Sequence, residues 1–504
     1  MTSTPALPSI QTYPAQDFSA LDSASHALTS HALIVIPEKA GLPAGLPARA
    51  QWLAVLKRKG MKPAELARTP LAIDLADGRR LALLMSDQKL TRFERLTRLR
   101  KAVMLLQAES PETLAIWASE ADTARDAVFT ALVNGVPLPV HKKKPTVALA
   151  SIKLFSPLVA ADLTPVIALA RANILTRQLT ASAPNVLTPA TYRKQIRHLA
   201  KAQGLNIKEY DVKRLKKMGA GAFCAVAQGS HHADAAIVHL SYKPSGKVAH
   251  KTVALVGKGI CFDTGGHNLK PARYMAGMQK DMNGSAVALA LTLAAAEMRL
   301  PVAIDCWLAI AHNHISSTAY TQDDIITALD GTTIEVVHTD AEGRMVLADT
   351  LTLATRGKPD LVIDFATLTG SMHAALGERY SGVFASSAEL ATLAVTSGQA
   401  SGERVSIFPM DEDYAAALDS NVADVKQCTL DGGADHILAA LFLQRFTDQR
   451  PWLHVDLASA RCAGGLGAVS SDITGFGVAW GATLLAQWLH SQRNESDGSP
   501  AYGI

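Results

Sequence analysis

Short apolar runs punctuate the chain from about residue 235 onward: "AAIVHLSY", "TVALVGKGICF", "PVAIDCWLAI", "PDLVIDFATL" and "WLHVDLA". Runs of this length bounded by polar turns read as strands buried on both faces, and the stretches between them carry the wider apolar spacing of helices. Two helices announce their own starts. "LTPVIALARANILTRQLT" (from Leu163) places a proline at its beginning, and "LTPATYRKQIRHLAKAQG" (from Leu187) repeats the device with Thr188 as N-cap, Pro189 as first helical residue and Gly204 as stop. Nearer the N-terminus, "HALIVIPEKAGLPAGLP" (from His31) reads as a strand running into a Gly/Pro turn, and "ETLAIWA" (from Glu112) as another. The alternation predicts an α/β protein: a smaller N-terminal α/β domain and a larger C-terminal domain whose mostly parallel central sheet is covered by helices on both faces. Two prolines and a charge run in "PVHKKKP" (from Pro139) mark the break between them. The expected division is an N-terminal domain over 1–150, a linker and connecting helix over 151–185, and the larger domain over 186–504.

Length agrees with two domains, because 504 residues exceed what one ordinary core organises. With 19% charged and 48% apolar residues the chain is a globular protein rather than a disordered or fibrous one. The longest apolar stretch, "SAVALALTLAAAEM" from Ser285, is shorter than the ~20 residues that a bilayer helix needs. The first basic residue is Lys39, so the start resembles neither a secretion signal nor a transit peptide, and a cytoplasmic location is expected. Cys224, Cys261, Cys306, Cys428 and Cys462 form no CxxC pair, which argues for reduced thiols and against a thiolate zinc site. The net charge of +4 is uneven: residues 1–170 hold 20 Lys+Arg against 14 Asp+Glu, and the remaining 29 face 31. Part of the basic excess lies in "KLTRFERLTRLRKAV" (from Lys89), which fits either a solvated helix face or a nucleic-acid patch.

Chemistry collects where the strands end. "ALVGKGICFDTGGHNLKP" carries Lys258 inside an apolar run, Asp263 five residues later and Lys270 beyond a Gly265-Gly266 pair. A lysine within a strand is costly to bury charged, so it requires carboxylate partners or must be neutral and free to ligate a metal. Asp281 precedes the small-residue helix, and "VVHTDAEGRMVLAD" adds Asp340, Glu342 and Arg344, each two positions from the last. If that segment is extended, all three side chains face one way. Four carboxylates gathered at element ends repel one another unless cations lie between them. Oxygen ligands with one nitrogen and no thiolate suit Zn²⁺, Mn²⁺ or Mg²⁺, and bridging carboxylates suit two ions about 3.5–4 Å apart.

"VGKGICFDTGG…K…KDMNG" followed by "HTDAEGRMVLAD" resembles the signature of the leucyl aminopeptidases, dinuclear metal exopeptidases also called cytosol aminopeptidases. The resemblance runs from about residue 165 to the C-terminus, through "NVLTP", "DFATLTG", "WLHVDLA" and "TGFGV". It implies that Lys258, Asp263, Asp281 and Glu342 hold the tighter of two divalent ions, Mn²⁺ or Zn²⁺, and that Asp263, Asp340 and Glu342 hold the more exchangeable one. Lys270 and Arg344 would be catalytic, the first at the oxyanion and the second holding a bicarbonate ion as general base. Met278 and Thr367 would line an apolar pocket for a leucine-like first side chain. The implied substrates are short peptides with a free N-terminus, and the implied assembly is a homohexamer whose sites face an interior cavity. The chain departs from the family pattern at His338, where Asn is usual, at "HNHISS", which stands where the family has an ENMP-like turn and would place His312 and His314 near the site, and at His267, which replaces an apolar residue. Two other readings compete: a DNA-binding architectural protein on the same fold, resting on the basic 89–101 segment, and a dipeptidase preference such as cysteinylglycine.

Overall fold

Continuous apolar runs become strands covered on both sides. The computed structural model describes residues 6–14, 18, 30–38, 41–87, 89–144, 147–245 and 251–494, and its first sheet is built from β1 (Ser9–Pro14), β2 (His31–Pro37), β3 (Leu71–Asp74), β4 (Arg80–Ser86), β5 (Thr113–Ala118) and β6 (Ser151–Ser156). Its order is β1-β6-β5-β2-β4-β3, parallel except between β3 and β4. Alternate residues of β2 serve opposite cores: Leu33 and Val35 pack with the helices Arg92–Gln107 and Ala121–Gly135, while Ile34 and Ile36 pack with Trp52 and Leu56. Residues 151–156, expected as linker, are β6, which lies between β1 and β5. "SIKLFS" alternates half-buried and buried positions, a pattern too short and too polar to declare a strand by itself.

The remaining strands are β7 (Asn206–Asp211), β8 (Ala236–Tyr242), β9 (Thr252–Asp263), β10 (Ala303–Asn313), β11 (Ile325–Thr327), β12 (Thr333–Glu335), β13 (Leu361–Ala366), β14 (Ser381–Ala385), β15 (Val405–Ile407), β16 (Val425–Lys426) and β17 (Trp452–Asp456). Eight of them form the second sheet in the order β15-β14-β17-β13-β9-β10-β8-β7, and β11, β12 and β16 form a small third one. The middle of the large sheet, β17-β13-β9-β10, is parallel, and antiparallel pairing begins only outside it. Val253 and Leu255 of β9 face the helix α1 (Asn283–Glu297), whereas Ala254 and Val256 face the helix α2 (Glu342–Thr355). Helices thus cover both faces, as the unbroken apolar runs require. The four central strands deliver Asp263, Asn313, Thr367 and Asp456 to one edge, the carboxyl edge where open α/β sheets bind ligands.

The helix Pro189–Ala202 begins as its sequence predicts, with Thr188 Oγ1 accepting from the Thr191 amide. The basic segment 89–101 belongs to the helix Arg92–Gln107, and its arginines have internal work. Arg92 and Arg95 pair with Asp126, Arg92 also donates to the Ala400 carbonyl, and Arg100 donates to the carbonyls of Gly464 and Val469. These contacts tie the helix to the C-terminal part of the chain and occupy three of the basic side chains of the segment. All five cysteines are buried and unpaired. Among the described residues no helix is long and apolar enough to cross a membrane.

Glu403 secures the last helix, Val478–Asn494, by accepting from the amides of Gly477 and Trp480. Burial pushes its carboxyl up to about 7, although the amides of Trp480, Gly477 and Ala479 and the Arg92 cation pull the other way. The folded value exceeds the unfolded one near 4.5, so the linked stability is fully present below about pH 4.5 and is lost as pH rises through about 7. In Glu403→Gln this component is expected to disappear. Urea unfolding at about pH 5 and about pH 8 checks it, with a smaller difference between the two in the variant than in the parent.

Candidate metal centre

β9 passes Lys258 through the middle of the sheet and ends on Asp263; both are almost fully buried. Lys258 Nζ lies 2.9 Å from Asp281 Oδ2 and 2.9 Å from Glu342 Oε1, and donates to the Thr367 carbonyl at 3.1 Å. Lys270 Nζ lies 2.9 Å from Asp263 Oδ2 and 2.5 Å from Asp340 Oδ1. Between those two residues the chain turns back through Gly265, whose φ of +89° favours glycine and where a Cβ would stand 2.9 Å from Asp340 Oδ1. Asp281 lies in the short 3₁₀ segment Met278–Met282 that leads into α1, with Met278 half-buried at its start.

Asp340 and Glu342 do not share an extended segment. Asp340 occupies a turn and Glu342 is the first residue of α2, where the helix N-terminus favours an anion. The turn achieves what extension was expected to achieve. Asp263, Asp340 and Glu342 each place a carboxylate oxygen within 4.8 Å of the others.

Burial, then the charges of Asp263 and Glu342, hold the Asp340 carboxyl well above the usual carboxylate range; burial and Asp263 do the same to Glu342, and burial also raises Asp281. Burial opposes the charge on Lys258 and Lys270, yet the surrounding carboxylates outweigh it and keep both ammoniums. Fully ionised, four carboxylates against two ammoniums carry a surplus of two negative charges in a buried space, the repulsion that helps to raise these carboxyls. Asp281 Oδ2 and Asp340 Oδ1 meet their lysines as ion pairs but accept no hydrogen bond. A cluster with surplus anionic charge, open lone pairs and oxygen donors within reach of one another fits divalent cations.

A surrounding shell fixes these groups. Asn313 Nδ2 donates to Asp263 Oδ1 at 2.8 Å and to the Thr339 carbonyl at 3.1 Å, and Thr367 Oγ1 donates to Asp281 Oδ1 at 2.7 Å. Thr367 therefore touches a candidate ligand directly, a contact that a pocket-lining role does not foresee. Asn313, between His312 and His314, carries no local pattern that marks it, and its part rests on contacts 50 and 26 residues away along the chain. Those two rings stack on each other with centroids 4.3 Å apart, and burial pushes His312 down to about 3. His267 is exposed, and His338 accepts from the Asp340 amide through Nδ1. Arg344, in the first turn of α2, is buried against Asp435 and the Gln427 carbonyl, two partners that no local pattern announced.

Comparison with known proteins places the chain in a family. The family model for the catalytic domain of the cytosol aminopeptidase family matches residues 174–481, a span that contains every residue of the cluster. Probable cytosol aminopeptidases of Stutzerimonas stutzeri and Afipia carboxidovorans are 43% and 40% identical over 301 and 314 residues, covering 59% and 62% of this chain. The matched part spans about three fifths of those relatives, 60% and 61% of their lengths. Among solved structures, the bottromycin maturation enzyme BotP in complex with Mn superposes with a TM-score of 0.80 at 30% identity, covering 91% of this chain and 99% of BotP. With more than half of its length matched by the family model, the chain belongs to the cytosol aminopeptidase family.

Proposed function

We propose that the protein is a metal-dependent aminopeptidase that releases the N-terminal residue, leucine-like residues foremost, from short peptides by means of two divalent ions, Mn²⁺ or Zn²⁺. The observation that carries this reading is the buried excess of carboxylates at the carboxyl edge of the sheet, in a chain of this family. Lys258, Asp263, Asp281 and Glu342 would hold one ion, and Asp263, Asp340 and Glu342 the other. When bound, such ions supply Lewis acidity toward the scissile carbonyl and toward water. Lys258, an ammonium between its two carboxylates, would have to give up its proton to join them. A cytoplasmic location and a homohexamer go with the same reading, the second checked by sedimentation.

The chain's own groups do the rest. Thr367 and Asn313 fix the orientation of the Asp281 and Asp263 carboxylates through their hydrogen bonds. Met278, three residues before Asp281, would border the pocket for the first side chain. Lys270 offers an ammonium to the oxygen that gains charge as the carbonyl becomes tetrahedral. In Lys270→Met, kcat is expected to fall about 10²-fold while KM changes little, because the interaction strengthens only in the transition state. Equal losses in binding of substrate and of a transition-state analogue would contradict this.

A panel containing leucine amide, N-acetyl-leucine amide and cysteinylglycine, assayed with Mn²⁺ or Zn²⁺, tests the reading. Leucine amide is expected to be cleaved and its acetylated form to be inert. Cleavage of the acetylated compound would exclude an exopeptidase that recognises the free amine, and a strong preference for cysteinylglycine would move the specificity to dipeptides.

A further inference from the structure

We infer that Asp435 fills, from within the chain, the place at Arg344 where the family resemblance puts a bicarbonate ion, so that catalysis proceeds without an added anion. The inference rests on the proposed function only in assigning Arg344 to the reaction. The geometry itself stands apart from that assignment.

Arg344 is only 2% exposed. A guanidinium offers five donors in a fixed fork, and an oxyanion is gripped when two parallel donors are open to it. Here one terminal nitrogen donates to the Gln427 carbonyl at 2.9 Å and the other to Asp435 Oδ1 at 2.7 Å. Nε is buried and has no hydrogen-bond partner. Two of the five donors are thus committed, and Asp435 occupies the Nη2 side of the fork that an oxyanion would otherwise take.

Charge opposes a second anion as well. Asp435 is already the counter-charge of Arg344, and an oxyanion placed beside it would meet a carboxylate in a partly desolvated space. The carboxylate is held by its own backbone: Ala434 turns the chain with φ of 53°, and Asp435 is the first residue of the helix Asp435–Gln444, where a negative charge is favoured. The pair also lies beside the centre, since His338, two residues before Asp340, is within electrostatic reach of both Asp435 and Arg344. Asp435 is therefore a positioning residue that supplies internally the negative charge Arg344 would otherwise take from solution.

The test uses the full chain in carbonate-depleted buffer at constant ionic strength. ¹³C-bicarbonate line width is followed on the metal-free protein, and leucine amide hydrolysis on the Mn²⁺-loaded one. For the parent, no bicarbonate-specific broadening and less than about a twofold rate change on adding bicarbonate are expected. Asp435→Ala is expected to bind bicarbonate, to lose about tenfold or more in kcat, and to regain several-fold with bicarbonate or formate, a rescue that a merely structural role would not give. The acquired binding is expected to vanish in Arg344→Met/Asp435→Ala. If Asp435→Ala does not fold, Asp435→Ser leaves a hydroxyl facing the guanidinium and carries the same expectation. Bicarbonate binding to the parent, or a folded Ala or Ser variant that acquires none, overturns the inference. Absence of hydrolysis in every protein would count against the proposed function alone, because the binding experiment needs no turnover.

Discussion

Chelation is expected to silence hydrolysis of leucine amide, Mn²⁺ to restore it, and Asp340→Ala to remain silent when Mn²⁺ returns. The loss is expected to be on the order of 10³-fold or more, about 4 kcal/mol of transition-state stabilisation, because the ions would supply both the polarised carbonyl and the acidified water. Asp340 is the informative position. Its side chain is the most accessible of the four paired acids, it stands on a turn rather than inside a strand or helix, and its loss leaves Lys258, Asp281 and Glu342 in contact. Removing it would strip a ligand from the second of the two proposed ions without dismantling the other side of the cluster. Circular dichroism would confirm that the variant is folded, and metal content by mass spectrometry would give a stoichiometry nearer one ion than two. Full Mn²⁺-dependent activity in Asp340→Ala would sink the two-ion reading, whatever the family.

Legibility of this molecule from its sequence follows burial. β9, β10, β13 and β17 were readable because each is covered on both faces, so their residues are apolar without interruption and the polar exceptions stand out. Lys258 is such an exception, and its two carboxylate partners are the ones its burial demands. β1 and β6 were not readable, because they are short, polar strands at one side of the first sheet and keep half-buried positions. The path from Asp340 to Glu342 was misjudged as extended, since the N-terminus of a helix and a strand end offer the same short polar signature. Asp435 and Gln427 lie 91 and 83 residues from Arg344 along the chain, and no local pattern encodes a pairing at that distance. Sequence therefore located the charged groups that need partners, whereas the partners themselves emerged only from packing.

Gly284→Val is expected to destabilise the protein by roughly 3–5 kcal/mol or to prevent its folding. A Cβ at Gly284 would stand 2.0 Å from the Phe365 carbonyl oxygen, 2.7 Å from its carbon and 3.0 Å from the Ala366 Cα. All three atoms are backbone, so no side chain can swing aside. β13 cannot retreat, because it is hydrogen-bonded to β9 on one side and β17 on the other. Nor can α1, which is buried from Asn283 through Ala295 and is held at its start by Asn283 Nδ2 donating to Thr180 Oγ1. The same contact bears on function. Asp281 precedes α1 and Thr367 follows β13, so prising helix from strand separates Thr367 Oγ1 from Asp281. Any folded remainder of Gly284→Val should therefore gain less thermal stability from Mn²⁺ than the parent gains. Gly370→Ala is the control, since a Cβ there meets nothing within 4 Å and should shift the melt only slightly. Urea unfolding of the three proteins decides the matter: a Gly284→Val variant within about 1 kcal/mol of the parent would mean that helix and strand can separate without cost, and that the cluster is positioned by its ion pairs rather than by this packing.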